Sequence, residues 1–124
     1  MSPKELEERL INFAVNIILF LDKIRQTIAG KNLIGQLSRS GTSSALNYGE
    51  AQSAESGKDF VHKLGIVLKE LRETNISLKI VDRAKIHSDQ QSLNLLLTEC
   101  NELISIFVKS IETSKRNQSE IVNH

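Results

Sequence analysis

This chain has little of what small β-sheet proteins and disulfide-stabilised domains depend on. Its 124 residues include one cysteine, one proline, no tryptophan and only 4% aromatic residues. A lone Cys100 excludes an intrachain disulfide framework. A sandwich or barrel would need more turn residues and more alternating β-branched residues than this chain contains. A chain of this length can bury one core without disulfides or metals, and its composition favours helices.

The chain also lacks a strong excess of charge and a membrane-spanning hydrophobic run. Its 16 Lys and Arg residues against 15 Asp and Glu residues give a formal net charge of +1. Any nucleic-acid site must therefore be a local patch. The apolar stretch Leu10–Leu21 contains Asn12 and Asn16, and it is too short and too polar to cross a bilayer. Because Glu5 and Glu7 do not suit a signal peptide, we expect a cytoplasmic protein without membrane contact.

The spacing of the apolar residues predicts four helices. They are expected from Pro3 to about Gly30, from Asn32 to about Ala54, from Ser56 or Gly57 to Arg83 or Lys85, and from a cap at Ser88 or Asp89 to Thr113. Four helices with short connections are typical of an up-down-up-down four-helix bundle, so the predicted fold class is all-α. We place the bundle domain at residues 1–113 and expect residues 114–124, which are polar and aperiodic, to fray.

The first predicted helix is apolar on two sides. Its main seam, with spacings of three and four, consists of Leu6, Leu10, Phe13, Ile17, Leu21, Ile24 and Ile28. A second stripe of Ile11, Val15 and Ile18 lies beside the seam, and Leu95 and Ile106 lie off the seam of the fourth helix. A helix that is apolar beyond its core side is usually covered by another surface, which predicts self-association.

The second predicted helix contains two glycines, Gly41 and Gly49. Each costs on the order of 1 kcal/mol relative to alanine inside a helix. Their presence indicates a close approach of a neighbouring backbone, and the alternative is a break in the helix near Ser40-Gly41-Thr42.

The same helix carries a row of polar residues at helical spacing. The row consists of Gln36, Ser40, Ser43, Asn47 and Glu50, within an arc of roughly 80°. Such a row needs polar partners, and two interpretations stay open. In one, Asn47 and Glu50 contact a ligand or partner. In the other, they join a buried or half-buried network that favours one helix register, with partners on the third helix, such as Lys69 or Arg72, or on a neighbouring chain.

The third predicted helix carries a stripe of basic residues. The stripe consists of Lys58, His62, Lys69, Arg72, Lys79 and Arg83, within an arc of roughly 100°. It could follow a phosphate backbone. It could also be a solvated face on which Lys69 and Glu73 form an ordinary ion pair. The stripe has no aromatic residue to stack bases, and Ile76 interrupts it.

The residue pattern does not indicate catalysis or a cofactor. Di-iron bundles need two Glu-x-x-His units, whereas this chain has one Asp59-x-x-His62. Ser43 has no nearby histidine and no strand-turn-helix elbow. Cys100 lies among leucines, where we expect a small buried hydrophobe. We predict a non-enzyme with no metal, cofactor or small-molecule substrate.

Several of these motifs recur together in one known family. They are Gln36-Leu37-x-Arg39-Ser40, Ser43, Asn47-x-x-Glu50, Lys58-Asp59-Phe60, Lys63-Leu64 and Leu68-Lys69-Glu70-x-x-Glu73-Thr74. With them the chain resembles the bacterial 23S ribosomal RNA intervening-sequence proteins, a four-helix-bundle family. The chain departs from the family pattern at Ala51, where glycine is usual, and at residues 75–78, where relatives often have aromatics.

The resemblance implies a ring-like pentamer whose function is poorly defined. The family is similar to accessory proteins of diversity-generating retroelements, which are basic pentamers that bind nucleic acid. We therefore expect a homo-oligomer, and two functions stay open. One is an accessory protein that binds RNA or DNA through Lys58, Lys69, Arg72, Lys79 and Arg83. The other is a structural or protein-interaction ring that binds no nucleic acid.

Overall fold

Four helices make up the fold in a computed structural model that describes the backbone of residues 1–123 and the side chains of residues 1–119. They are α1 (Pro3–Leu21), α2 (Ile28–Ala51), α3 (Gly57–Ala84) and α4 (Gln90–Asn123). Each helix packs against the next one in sequence, and α4 also contacts α1. With short connections, this closed circuit is an up-down-up-down four-helix bundle, which confirms the predicted fold class.

Each helix begins at a side chain that caps a free backbone N–H group. In each cap a side-chain oxygen accepts a hydrogen bond from the backbone N–H three residues later. The acceptor and donor residues are Ser2 and Glu5 (3.1 Å), Thr27 and Gly30 (3.1 Å), Ser56 and Asp59 (3.0 Å), and Asp89 and Ser92 (3.1 Å). The predicted beginnings of α1, α3 and α4 are therefore confirmed. At the other end of α3, Lys85 adopts a left-handed backbone with φ of 54°.

The prediction that the first helix continues to Gly30 is wrong. α1 ends at Leu21, and Gly30 lies in the first turn of α2. Ile24 is buried, with 3% exposure, but it lies in the connection, whereas Ile28 is 94% exposed. The apolar residues therefore keep a spacing of three and four beyond Leu21, although the helix itself ends there.

Backbone hydrogen bonds between two connections explain where α1 ends. The N–H of Arg25 donates to the carbonyl of Ile86 at 2.7 Å, and the N–H of Ser88 donates to that of Lys23 at 3.1 Å. These bonds join the α1–α2 connection to the α3–α4 connection. Gly30 is required beside them because a Cβ there would overlap the carbonyl oxygen of Arg25.

The core contains the apolar positions that the periodicity predicts. Fully buried residues with the largest side chains include Leu10, Phe13, Ile17, Leu37, Leu64, Leu71, Leu78, Leu93, Leu103 and Phe107. Tyr48 meets Phe107 edge to face, with ring centroids 5.5 Å apart. The second stripe of α1 (Ile11, Val15 and Ile18) is exposed on the outside of the bundle. No helix within residues 1–123 has the length and apolarity that a membrane span needs.

The two glycines of α2 differ in their surroundings. A Cβ at Gly41 would lie 2.8 Å from Cγ2 of Ile17, whereas a Cβ at Gly49 would meet nothing within 4 Å. A close neighbour is therefore present at Gly41, but it is the side chain of Ile17 and not a backbone, and none is present at Gly49 within this chain. The helix runs unbroken through Ser40-Gly41-Thr42.

The predicted domain boundary after Thr113 does not coincide with a helix end. α4 continues to Asn123, and its residue Gln118 still lies beside Gly57 at the start of α3. The fraying of residues 114–124 stays a prediction, and His124 lies outside the described residues.

Hydroxyl and amide groups are buried between the helices and are paired. Oγ1 of Thr74 lies 2.8 Å from Oγ of Ser40 and 2.8 Å from the carbonyl oxygen of Glu70. Between α3 and α4, Asn75 donates to the side chain of Asn101 at 3.1 Å. Among residues 1–119, no buried side-chain nitrogen or oxygen lacks a partner. The helix register therefore satisfies the polar groups that it buries.

The surroundings of the two glycines predict opposite effects of one substitution. Gly41→Ala should destabilise the protein by about 1–3 kcal/mol, because its methyl group overlaps a β-branched side chain that cannot move aside. Gly49→Ala should stabilise it by up to about 1 kcal/mol through helix propensity. Urea unfolding at one protein concentration measures both changes. A Gly41→Ala variant as stable as Gly49→Ala would contradict the close contact with Ile17.

The buried hydroxyl pair predicts an asymmetry between its two partners. Thr74→Val should cost about 1–3 kcal/mol, because it leaves the Ser40 hydroxyl buried without its partner. Ser40→Ala should cost only about 0.5–1.5 kcal/mol, because Thr74 keeps its bond to the carbonyl of Glu70. The double variant should cost less than the sum of the two. Thermal and urea unfolding of the three variants give these values, and the reverse order would refute the pairing.

Candidate functional site

The polar row of α2 faces α3, but its members have separate partners. Ser40 is buried in the hydroxyl pair described above, and Gln36 is exposed. Nδ2 of Asn47 donates to the carbonyl of Ser43 in its own helix at 2.8 Å. Glu50 accepts from Nζ of Lys63 at 2.8 Å. Glu50 therefore pairs with α3 through Lys63 and not through Lys69 or Arg72, and Asn47 bonds within its own helix. Whether the row serves a network or a ligand contact stays a prediction.

Arg39, on the α3 side of α2, holds two acidic residues of α3. Its Nη1 lies 3.2 Å from Oε2 of Glu70, and its Nη2 lies 3.0 Å from Oε2 of Glu73. The hydrogen bond with Glu73 and the charge of Glu70 raise the pKa of Arg39 above its ordinary value. Because Glu73 is engaged by Arg39, the ion pair between Lys69 and Glu73 that the spacing allowed is not formed.

The basic stripe of α3 carries cations that form no ion pair with the described side chains. Within residues 1–119, no carboxylate lies at ion-pair distance from any of the five cations named as nucleic-acid contacts, Lys58, Lys69, Arg72, Lys79 and Arg83. Lys79 is half-buried and the other four are exposed. Lys63, which lies off the stripe, is the α3 lysine that pairs with Glu50.

An open groove lies beside this stripe and brings the two sequence features together. Its volume is about 820 Å³, and it is lined by Gln36, Arg39 and Ser40 of α2 and by Gly65, Leu68, Lys69, Arg72, Glu73, Ile76, Ser77 and Ile80 of α3. Ile76 and Ile80 are 55% and 47% exposed. We call this feature the α2–α3 groove.

The groove does not follow from the predicted features. Ile76 is only an interruption of the predicted basic stripe, and Ile80 belongs to none of the predicted patterns. A signal is present in the sequence, because two isoleucines four residues apart on the outer side of a helix form an exposed apolar stripe. The spacing of three and four identifies core positions, and this apolar pair lies on the opposite side of the helix.

Reactive side chains are not assembled into a site. Cys100 is fully buried, and burial raises the pKa of its thiol to about 12. Its thiol donates to the carbonyl of Leu71 at 3.2 Å. His62 is exposed, and Nδ1 of His87 accepts from the N–H of Asp89 at 3.2 Å. Among the side chains of residues 1–119, no three His, Cys, Asp or Glu residues converge to hold a metal.

Comparison with known proteins agrees with the motifs and the fold. The family described as 23S rRNA-intervening sequence protein matches residues 5–109. A crystal structure of a protein of unknown function from the S23 ribosomal protein family of Bacteroides thetaiotaomicron is also similar. It superimposes with a TM-score of 0.76 at 26% identity over 90% of this chain and 99% of that one. No curated protein matches the chain.

The family match covers nearly all of α1, the whole of α2 and α3, and α4 from Gln90 to Lys109. It therefore includes the polar row, the basic stripe and the α2–α3 groove. The solved relative shares the fold over nearly the whole of its own length. The chain belongs to the family of 23S rRNA intervening-sequence proteins, whose function is unknown.

Proposed function

We propose that this protein is a non-catalytic, self-associating accessory protein that binds the phosphate backbone of nucleic acid through the basic stripe of α3. The observation that carries the proposal is that these cations form no ion pair among the side chains of residues 1–119. Three acids near the stripe have other partners, since Glu70 and Glu73 bind Arg39 and Glu50 binds Lys63. A cation without a partner neutralises a phosphate without first breaking an ion pair.

The length of the stripe supports this ligand. From Lys58 to Arg83, α3 advances by about 37 Å at 1.5 Å per residue. One turn of B-form duplex is about 34 Å long. Cations spaced along a straight helix can therefore meet phosphates along one turn of a duplex, without entering a groove or reading bases. The resemblance to basic accessory proteins of retroelements favours the same class of ligand.

Self-association is the second part of the proposal. The outer face of α1 exposes Ile11, Val15 and Ile18, which have no cover in the single chain. Burial of such a face is favourable by roughly 25 cal/mol per Å² of apolar surface. The number of subunits, five, rests on the family resemblance. In an assembly the stripe is repeated, so that weak contacts to one nucleic acid add through multivalency.

Binding to the phosphate backbone predicts a characteristic dependence on salt. Affinity for a duplex should fall with a log–log slope of about −0.9 per phosphate neutralised. The variant Lys58→Glu/Arg83→Glu removes two cations outside the groove lining, so its slope should be less steep by about 1.8. Titrations against structured RNA and duplex DNA at three salt concentrations measure both slopes.

The matched control for this titration is Lys31→Glu/Lys109→Glu. It changes the net charge equally, at two exposed lysines outside the stripe. The affinity and the salt slope of this control should lie closer to those of the unaltered protein than the values of Lys58→Glu/Arg83→Glu do. No binding by the unaltered protein at low salt would refute the nucleic-acid part of the proposal and leave an interaction ring. Equal losses in both variants would mean that net charge, and not the stripe, is responsible.

Self-association predicts a particle heavier than one chain. Light scattering after size-exclusion chromatography at micromolar concentration should give a multiple of 13.9 kDa, and five is the number that the resemblance implies. Val15→Glu/Ile18→Glu should reduce this mass, because two charges then replace the exposed apolar contacts. A monomer in the unaltered protein would refute self-association and would leave the nucleic-acid measurement independent of it.

A further inference from the structure

We infer that the α2–α3 groove of one copy is occupied by the outer face of α1 from a second copy. This inference rests on the self-association in the proposed function and names the two surfaces that meet. Each surface is incomplete in the single chain. The groove has apolar residues and unpaired cations without an occupant, and α1 has apolar residues and acids without a cover.

The groove is built to receive a helix with an apolar ridge. Ile76 and Ile80 lie one helical turn apart on α3 and remain about half exposed. Leu68 extends the apolar lining towards Gly65, where a Cβ would meet nothing within 4 Å. The lining therefore spans about 22 Å of α3 from Gly65 to Ile80, at 1.5 Å per residue. This length matches about four turns of a helix.

The charges of the groove select an acidic helix. Lys69 and Arg72 lie in its lining without acidic partners among the described side chains. Glu73, the acid of the same lining, is held by Arg39. An approaching helix would therefore meet two free cations beside an apolar surface.

The outer face of α1 has the complementary pattern. Ile11, Val15 and Ile18 follow one another at spacings of four and three, which forms one ridge along the helix. Glu7 and Glu8 precede the ridge by one turn, on the same side of the helix. Lys4 lies on the same side of the helix, one turn closer to the N-terminus. The charged residues nearest to the ridge are therefore the two acids, Glu7 and Glu8.

The two surfaces cannot meet within one chain. α1 contacts α2 and α4, and it is not among the neighbours of α3, which lies diagonally across the bundle. The ridge points outward and the groove opens on a different side. The contact is therefore between copies and joins two different surfaces. Such head-to-tail contacts form closed rings or open filaments.

The occupied groove leaves a smaller surface for phosphates. Lys69 and Arg72 would pair with the acids of the neighbouring α1, whereas Lys58, Lys79 and Arg83 lie outside the groove lining. In the assembly, phosphate binding is therefore left to Lys58, Lys79 and Arg83, and Lys69 and Arg72 of the basic stripe no longer contribute to it. For this reason the two proposals can fail independently.

Charge exchange tests the contact directly. Lys69→Glu/Arg72→Glu and Glu7→Lys/Glu8→Lys should each weaken association about tenfold or more, because like charges then face each other. An equimolar mixture of the two variants should form heterodimers and other assemblies in which the variants alternate, because an acidic surface then meets a basic one at each contact. Five subunits cannot alternate around a closed ring, so the mixture should not restore a five-membered ring. The chain that carries all four substitutions should regain association on its own. Light scattering over a concentration series measures each association.

Two further variants separate a lost contact from a damaged fold. Ile76→Ser/Ile80→Ser changes only exposed side chains, and it should weaken association while helicity and thermal unfolding of the monomer are kept. Lys31→Glu/Lys109→Glu matches the charge change of the groove variant and should leave association unchanged. Circular dichroism and thermal unfolding check the fold of every variant.

Three results would overturn the inference. If the protein associates but neither the mixture nor the fourfold variant recovers association, the two surfaces do not meet. If Ile76→Ser/Ile80→Ser associates normally and loses only RNA binding, the groove belongs to the nucleic acid. If the unaltered protein is a monomer, the self-association part of the proposed function fails together with the inference, whereas the salt-dependent binding test is unaffected.

Discussion

The packing of α2 against α3 is the contact on which the candidate site depends. Apolar side chains such as Leu37 and Leu71 are fully buried in the core that these helices share, and their burial supplies most of the stabilisation. The polar contacts along the same interface are worth less, because exposed ion pairs contribute only about 0–1 kcal/mol. Their effect is to specify the register. The Ser40–Thr74 pair forms at one alignment of the two helices, and a shift would take this partner away from the buried hydroxyl of Ser40.

The same register decides the electrostatics of the outer surface. With α2 and α3 aligned in this way, Arg39 reaches two acids of α3 and Lys63 reaches Glu50. These pairs engage acids that would otherwise lie beside the basic stripe. A chain with a net charge of only +1 therefore presents a row of cations that form no ion pair with the side chains of residues 1–119. Net charge describes the sum over a molecule, whereas binding of a polyanion depends on the local arrangement.

The connections at one end of the bundle hold the four helices in place by another means. Ile24 is buried beside His87, and backbone bonds join the two connections on either side of this contact. Phe20 packs on the ring of His87, with centroids 5.7 Å apart. Arg9 adds ion pairs from α1 to Glu99 and Glu102 of α4. Together these contacts close the side of the bundle where α1 meets α4, and they leave the outer sides of α1 and α3 uncovered.

Local patterns in the sequence predicted the helical class, the number of helices, the caps of α1, α3 and α4, and most of the core, because periodicity and capping are local properties. They also placed the polar row and the basic stripe on their helix faces. The end of α1 was missed, because it depends on backbone bonds to residues about 60 positions away in the chain. The partners of Arg39 and Glu50, the freedom of the stripe and the existence of the groove were decided only by the tertiary structure. Each of them depends on the distance between two helices and on their register, and no spacing within one helix contains that information.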